Sequence, residues 1–292
     1  MKRSILSLIV GLGITVFLKA QAPQFGPLLE EIAYNADVMA NANLDRHRIK
    51  ANELLVASMD SFLSLSGSYA VSLDSIPWLS IVHGEDFRLV TWQLRVSNDE
   101  YKYGGFIQWP DRIVRFKDSR PFINGSSYNT YTPATWYGAI YYQIIPFELE
   151  GRKYYVLLGY NGENSSINTK VADVLDLTGP EVRLGVPVFV GQDEPKTRLM
   201  LTYGDISNTR MTYDAKLGGI VHDHVEMLAG IGPTGEPLPV SDGNMEAWIL
   251  KKGKWEFKEE AYNAKEMTAP PMTSEKKNWE EDKDILGRPK KD

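Results

Sequence analysis

The chain has 292 residues, of which 43% are hydrophobic and 24% charged, and it contains no cysteine. Those proportions belong to a globular protein, long enough for one large domain or two small ones. Without cysteine there is no disulfide, thiolate metal site, iron–sulfur cluster, cysteine nucleophile or lipidated N-terminal cysteine.

The first residues read as an export signal. Lys2 and Arg3 precede an apolar run from Ser4 to Leu18, and Ala20-Gln21 offers a cleavage point. A spanning helix needs about 20 apolar residues, so the run suits a cleaved leader over residues 1–20 better than an anchor. The expected product is periplasmic or secreted, soluble, and not a lipoprotein. Taking Lys2, Arg3 and Lys19 from the 32 basic residues leaves 29 against 38 acidic, a net charge of −9. Such a surface does not attract nucleic acid.

Residues 21–68 read as a helical segment. A first helix is predicted near 28–40 and a second over 44–65, where Leu44, Ala51, Leu55, Met59 and Phe62 share one face. Asn43 is placed to cap it, and Ser66-Gly67-Ser68 to end it. Arg46, His47, Arg48 and Lys50 read as a solvated basic face.

Residues 69–262 read as an antiparallel β domain. Runs rich in Val, Ile, Tyr, Phe and Trp occupy 87–96, 101–109, 112–116, 136–147, 153–160, 169–177, 186–190, 198–203, 210–213, 219–227, 246–251 and 254–258. Turns are readable at Ser97-Asn98-Asp99, Glu150-Gly151, Lys216-Leu217-Gly218 and Lys252-Gly253. No long amphipathic helix separates the runs, so parallel βαβ units are not expected. The fold class is mainly β, a sandwich-like antiparallel meander with an N-terminal two-helix segment. A small or incomplete β-propeller is the alternative. Trp136–Phe147 is apolar on both faces, which predicts a central strand. Residues 263–292 carry seven basic and seven acidic side chains from Lys265 onward and little apolar surface. That composition predicts a disordered or peripherally docked tail.

The sharpest local pattern is Val221-His222-Asp223-His224-Val225-Glu226. On a regular strand His222, His224 and Glu226 would project together and could hold a divalent metal such as zinc. His83 and Glu85 are candidates for a further ligand, and a hydrogen-bonded His–Asp pair at a sheet rim is the competing reading. No other cofactor is expected. Gly230–Gly235 matches G-x-G-x-x-G, but Pro233, Pro237 and Pro239 deny it the following helix. No G-x-S-x-G, P-loop, HExxH or EF-hand motif is present. Among the aromatics, Trp78, Trp92, Trp109, Trp136, Tyr128 and Tyr131 could form a stacking platform. The polar-aromatic stretch 121–135 makes Tyr128, Tyr131 and the adjacent Trp136 the binding candidates.

The blocks TWQLRVSNDEYKYGGFIQ (91–108), WYGAIYYQI (136–144), RKYYVLLGYNG (152–162), KVADVLDL (170–177) and GGIVHDHVEM (218–227) resemble a group of exported β-rich proteins of Bacteroidota-type bacteria. The resemblance implies export and a shared β domain and supplies no activity; in that group an aromatic is common at the position of His222. The reading that follows is a non-enzymatic envelope protein binding another protein or a cell-surface glycan. The alternative is a periplasmic hydrolase using carboxylates or a His222/His224 metal site.

Overall fold

The computed structural model describes residues 22–119 and 127–262. The leader-like residues 1–20, the first part of the 121–135 stretch and the charged residues 263–292 lie outside them. No helix of the described residues is long and apolar enough to cross a membrane.

Two helices, α1 (Ala22–Asn41) and α2 (Asp45–Leu63), open the fold. Ala51, Leu55, Met59 and Phe62 are buried, as their spacing predicts, but Leu44 is 47% exposed and lies at the N-cap. Asn43 does not cap α2: no side-chain cap bond is made there. Arg48 organises this end instead, donating from Nη1 to the Ala42 carbonyl (2.7 Å) and from Nε to the Arg95 carbonyl (2.9 Å). It is 1% exposed, so the predicted basic face loses its central member to the interior. A second buried arginine, Arg88, holds the other end. It donates to the Ser68 carbonyl (3.0 Å) and to Gln108 Oε1 (2.8 Å), while Gln108 Nε2 reaches the Leu63 carbonyl (2.9 Å).

Three sheets follow. The first has the order β1 (Ser80–His83), β2 (Arg88–Arg95), β3 (Tyr101–Gln108), β4 (Ile113–Lys117). β5 (Ile140–Leu149), β6 (Arg152–Gly162), β7 (Ile167–Asp176) and β10 (Arg198–Gly204) form the second, with the short β8 (Arg183–Leu184) on β7. The third is β11 (Met211–Asp214), β12 (Gly219–Leu228), β13 (Leu238–Lys251), β14 (Lys254–Lys258) and β9 (Phe189–Val190). All pairings are antiparallel except β9–β14, which is parallel over Phe189/Trp255 and Val190/Glu256. The strands β1 and β8, too short to show a pattern, are additional to those predicted.

The predicted turns connect their hairpins. Glu150-Gly151 and Lys252-Gly253 both have positive φ at each central residue (52° and 73°; 50° and 80°). Two such residues give the tight turn whose twist matches the flanking strands. Gly230–Gly235 lies in the connection from β12 to β13, between two strands and without a helix.

The layers stack as helices, first sheet, second sheet, third sheet. Val90, Trp92 and Leu94 of β2 pack with the helices, whereas Leu89 packs with the second sheet. In β6, Tyr155 and Leu157 join the first-sheet core; Tyr154, Val156 and Leu158 join the third-sheet core. This is period-two alternation with both faces buried. It yields a sandwich-like stack that stays open, since the first and third sheets share no core cluster.

Trp136–Phe147 is not a central strand. Its strand portion, β5, is an edge of the second sheet, with Tyr142 39% exposed. Its early apolar residues serve the contact with the first sheet: Trp136, Tyr137, Ala139 and Tyr141 are buried there. On the other, helix-facing side of the first sheet, a Cβ at Gly104 of β3 would stand 2.3 Å from the ring of its cross-strand partner Trp92, so glycine makes room for that indole.

A buried polar chain ties the second sheet together. Arg198 Nη2 donates to Asp173 Oδ1 at 2.7 Å, with both side chains 0% exposed. The other carboxylate oxygen accepts from the Tyr141 hydroxyl (3.0 Å), which in turn accepts from Trp136 Nε1 (3.0 Å). Burial, and then the Asp173 charge, push the Tyr141 phenol well above its usual range, so it stays a donor. Asp173→Asn is expected to cost about 3–5 kcal/mol in chemical denaturation, because it strands a buried guanidinium. The double variant Asp173→Leu/Arg198→Met should recover much of that loss. An equal or larger loss in the double variant would show that the pair is not the source.

Candidate functional site

The aromatics singled out by the sequence separate sharply. Trp92 and Trp136 are 0% exposed and Tyr131 is 7% exposed. Trp136 packs on Tyr103, Phe116 and Tyr141, so it is a core residue and not a binding one. Tyr131 pairs with Leu184 and presents its ring to the Arg198 guanidinium at 4.7 Å, so it too belongs to the interior. Tyr128 alone of that trio is on the surface, at 46% exposure. Tyr128, Tyr131 and Trp136 do not form one recognition surface, because packing draws Tyr131 and Trp136 inward. Trp136→Ala should destabilise the fold by about 3–5 kcal/mol in a denaturant titration, and Tyr128→Ala should leave the midpoint unchanged.

The His222/His224/Glu226 set does not converge either. The register slips between Asp223 and Val225, and this bulge breaks the alternation that would align the three. His222 is buried: its Nδ1 faces the Asp223 carbonyl at 3.0 Å, and its Nε2 accepts from Trp248 Nε1 at 3.1 Å. Those partners select the neutral tautomer protonated at Nδ1. His224 Nδ1 lies 3.0 Å from Asp242 Oδ2, a His–Asp pair made with a different aspartate from its neighbour in sequence. Glu226 is exposed. His83 lies against Asp74 at 3.1 Å, and Glu85 pairs with Lys153. Among the described residues no three His, Asp or Glu side chains gather in a metal-holding group.

Burial lowers the His222 pKa from its usual value, against the opposing pull of the Asp223 carbonyl, Glu246 and Asp223. A base with a depressed folded pKa binds protons more readily when unfolded. Stability from this site is therefore complete above the unfolded value near 6.5 and is lost as pH falls toward the folded one. His222→Gln, which keeps an acceptor for Trp248, should flatten the decline of melting temperature between roughly pH 7.5 and 5. An unchanged slope would place the acid sensitivity elsewhere.

A cleft of about 450 Å³ opens where the helices and the first two sheets meet. Met39 and Ala40 come from α1, Gln93 and Arg95 from β2, Tyr101 from β3, Ile140 from β5 and Tyr160 from β6. Trp78, from the loop before β1, closes the lining. Trp78 is 52% exposed, and its φ is +69°, a left-handed conformation that a bulky residue rarely adopts. Its Nε1 reaches Asp37 Oδ1 at 3.4 Å. The backbone of Arg95 is fixed by buried Arg48, while the residue itself is exposed and lines the cleft.

The surface continues past Tyr160 along the second sheet. Lys170 stands in register with Tyr160, and its Nζ lies 5.3 Å from that ring and 5.4 Å from the ring of Tyr142. Both contacts are within cation–π range. Burial lowers the Lys170 pKa from its usual value. The Tyr160 phenol is pushed up to about 12, first by burial and then by Tyr203, Tyr101 and Asp205. It donates to Asn168 Oδ1 at 2.6 Å, and Tyr142 donates to the Met211 carbonyl at 2.8 Å. The tyrosines are thus neutral rings held in place by their hydroxyls.

A second cleft, of about 510 Å³, lies at the other end of the seam between the first two sheets. Its floor is Trp109 and Tyr155, each packed against Phe87. Of its charged residues, Lys153 pairs with Glu85, and Arg112 covers Trp109 at 5.2 Å while reaching the Pro180 carbonyl at 3.4 Å; Asp86, Arg152 and Glu181 also line it.

Tyr101, Tyr142, Tyr160, Lys170 and Arg95 were not singled out from the sequence. Their signal would have been a cross-strand register, Tyr160 beside Lys170 and Arg95 beside Tyr101. Register depends on which strands pair, and the sequence leaves that open. Comparison with protein-family models, with curated proteins and with solved structures gives no match for this chain.

Proposed function

We propose that this chain is an exported, non-enzymatic envelope protein that binds a cell-surface glycan in the aromatic cleft. Trp78 is the observation that carries the reading. An indole left half in water gains little from packing, and its left-handed backbone costs about 1–3 kcal/mol. Such strain is typical of ligand clamps, where the side chain serves something other than the core. With Tyr101 and Tyr160 it supplies flat apolar faces beside the polar Gln93 and Arg95. That combination suits a sugar ring, which presents C–H faces and a hydroxyl edge. Among the described residues the lining holds no carboxylate or imidazole, which favours binding over hydrolysis at this place. Export is supported by the basic-then-apolar start of the sequence and by the resemblance of its strand blocks to exported β-rich proteins.

The test uses polysaccharide extracted from the envelope of the source cells, with affinity electrophoresis and calorimetry as readouts. Trp78→Ala should weaken binding by at least about tenfold, as expected for an aromatic anchor. Its melting temperature should stay close to the parent's, and Trp78→Gly should melt at the same temperature or higher, since glycine relieves the positive φ. Undiminished binding by Trp78→Ala, or a large fall in melting temperature, would sink the proposal.

A further inference from the structure

We infer that the glycan bound at this cleft is acidic, a sugar chain carrying carboxylates or phosphates; the inference rests on the aromatic cleft being the glycan site. The geometry behind it is a stripe crossing from the first sheet to the second. Arg95 pairs across strands with Tyr101, Tyr101 and Tyr160 line the same cleft, and Tyr160 pairs with Lys170. The order is cation, ring, ring, cation.

Neither cation is neutralised. Among the described residues, Arg95 and Lys170 take part in no ion pair. Two carboxylates lie near the cleft, Asp37 at the Trp78 indole and Asp205 near Tyr160, each held by a neutral amide and neither paired with Arg95 or Lys170. Asp37 Oδ1 takes Asn41 Nδ2 at 2.8 Å, and Asp205 Oδ1 takes Asn168 Nδ2 at 2.9 Å.

Lys170 shows the energetic consequence. Partial removal from water disfavours its charged form, and two tyrosine faces return only part of the lost hydration. An incoming anion completes the site, while a neutral sugar leaves the ammonium as it was. The rest of the chain sharpens the selection. Its net charge is −6, and −9 without residues 1–20, so a polyanion is repelled by the molecule as a whole and needs local cations to be admitted. A chain stacked on Tyr101 and Tyr160 brings its acidic substituents toward Arg95 on one side and Lys170 on the other.

The decisive experiment compares sugars that share a backbone and differ in whether it carries charged groups. Oligogalacturonate and its fully methyl-esterified form share one backbone, as do phosphorylated and plain dextran oligomers; each is titrated calorimetrically into the full chain. At least one acidic member should bind about tenfold or more tightly than its neutral counterpart, and the preference should shrink as salt is raised. Arg95→Gln and Lys170→Gln should each weaken that acidic ligand by about tenfold, and so narrow the gap between the acidic member and its neutral counterpart. Lys254→Gln, on the third sheet, should change neither. Arg95 is exposed, so its variant decides the matter should Lys170→Gln fail to fold. Which pair shows the preference distinguishes carboxylate from phosphate. Equal binding of acidic and neutral members, lost in Trp78→Ala, would overturn the acidic assignment and keep the glycan site. Unchanged acidic binding in both cation variants would overturn it as well. No binding of any of the four would overturn both readings.

Discussion

The ion pair between Asp173 and Arg198 fixes the middle of this molecule. Both side chains are fully enclosed, so the carboxylate must be satisfied by protein groups alone. It is satisfied by the guanidinium from β10, the backbone N–H of Val174 and the hydroxyl of Tyr141 from β5. Each partner comes from a different place along the chain, and each accepts only a narrow geometry. β7 and β10 must be in one register, and β5 must enter at one height. Trp136 extends the chain of bonds into the interface with the first sheet, where Thr91 Oγ1 accepts the backbone N–H of Tyr141. A polar arrangement of this kind restricts alternatives more strictly than apolar contact does, since a slip of one residue leaves a buried charge without a partner.

The surface cleft is a consequence of that positioning. With β5 and β6 set against the first sheet, Ile140 and Tyr160 come level with Tyr101 and Gln93. The helices complete the wall because Arg48 joins the end of β2 to the start of α2, and Arg88 joins the start of β2 to the chain beyond α2. Both arginines are buried and spend their donors mainly on backbone and amide oxygens, so they act as fasteners between layers. The same residue type at Arg95, held by its backbone and free at its head, does the opposite work and faces solvent.

Much of the fold could be read from local pattern. The helices around Ala51–Phe62 follow a 3.6-residue period, the strands follow β-branched and aromatic runs, and the hairpins follow Glu150-Gly151 and Lys252-Gly253. All of these are decided within a few residues. The failures share one cause. Trp136–Phe147 reads as a central strand because its residues are apolar, yet it is an edge strand whose leading segment is covered by another sheet. Arg48 reads as solvated because arginine usually is. His222, His224 and Glu226 read as aligned because alternation was assumed unbroken, and a bulge broke it. In each case the deciding neighbour is distant in sequence. The candidate site was legible only in part: Trp78 was among the aromatics picked out, while Tyr101, Tyr160 and Lys170 looked like ordinary strand residues.

By itself, the sequence determined the class of structure, a helical start followed by antiparallel strands, because backbone preference and hydrophobic period are local properties. It also excluded all cysteine chemistry. Tertiary structure alone decided which aromatics face water and which cations lack a partner. Exposure and pairing are properties of surfaces brought together from separate strands. Trp136 and Trp78 are the same residue type, and only the packing of the sheets makes one a core anchor and the other the lip of a cleft.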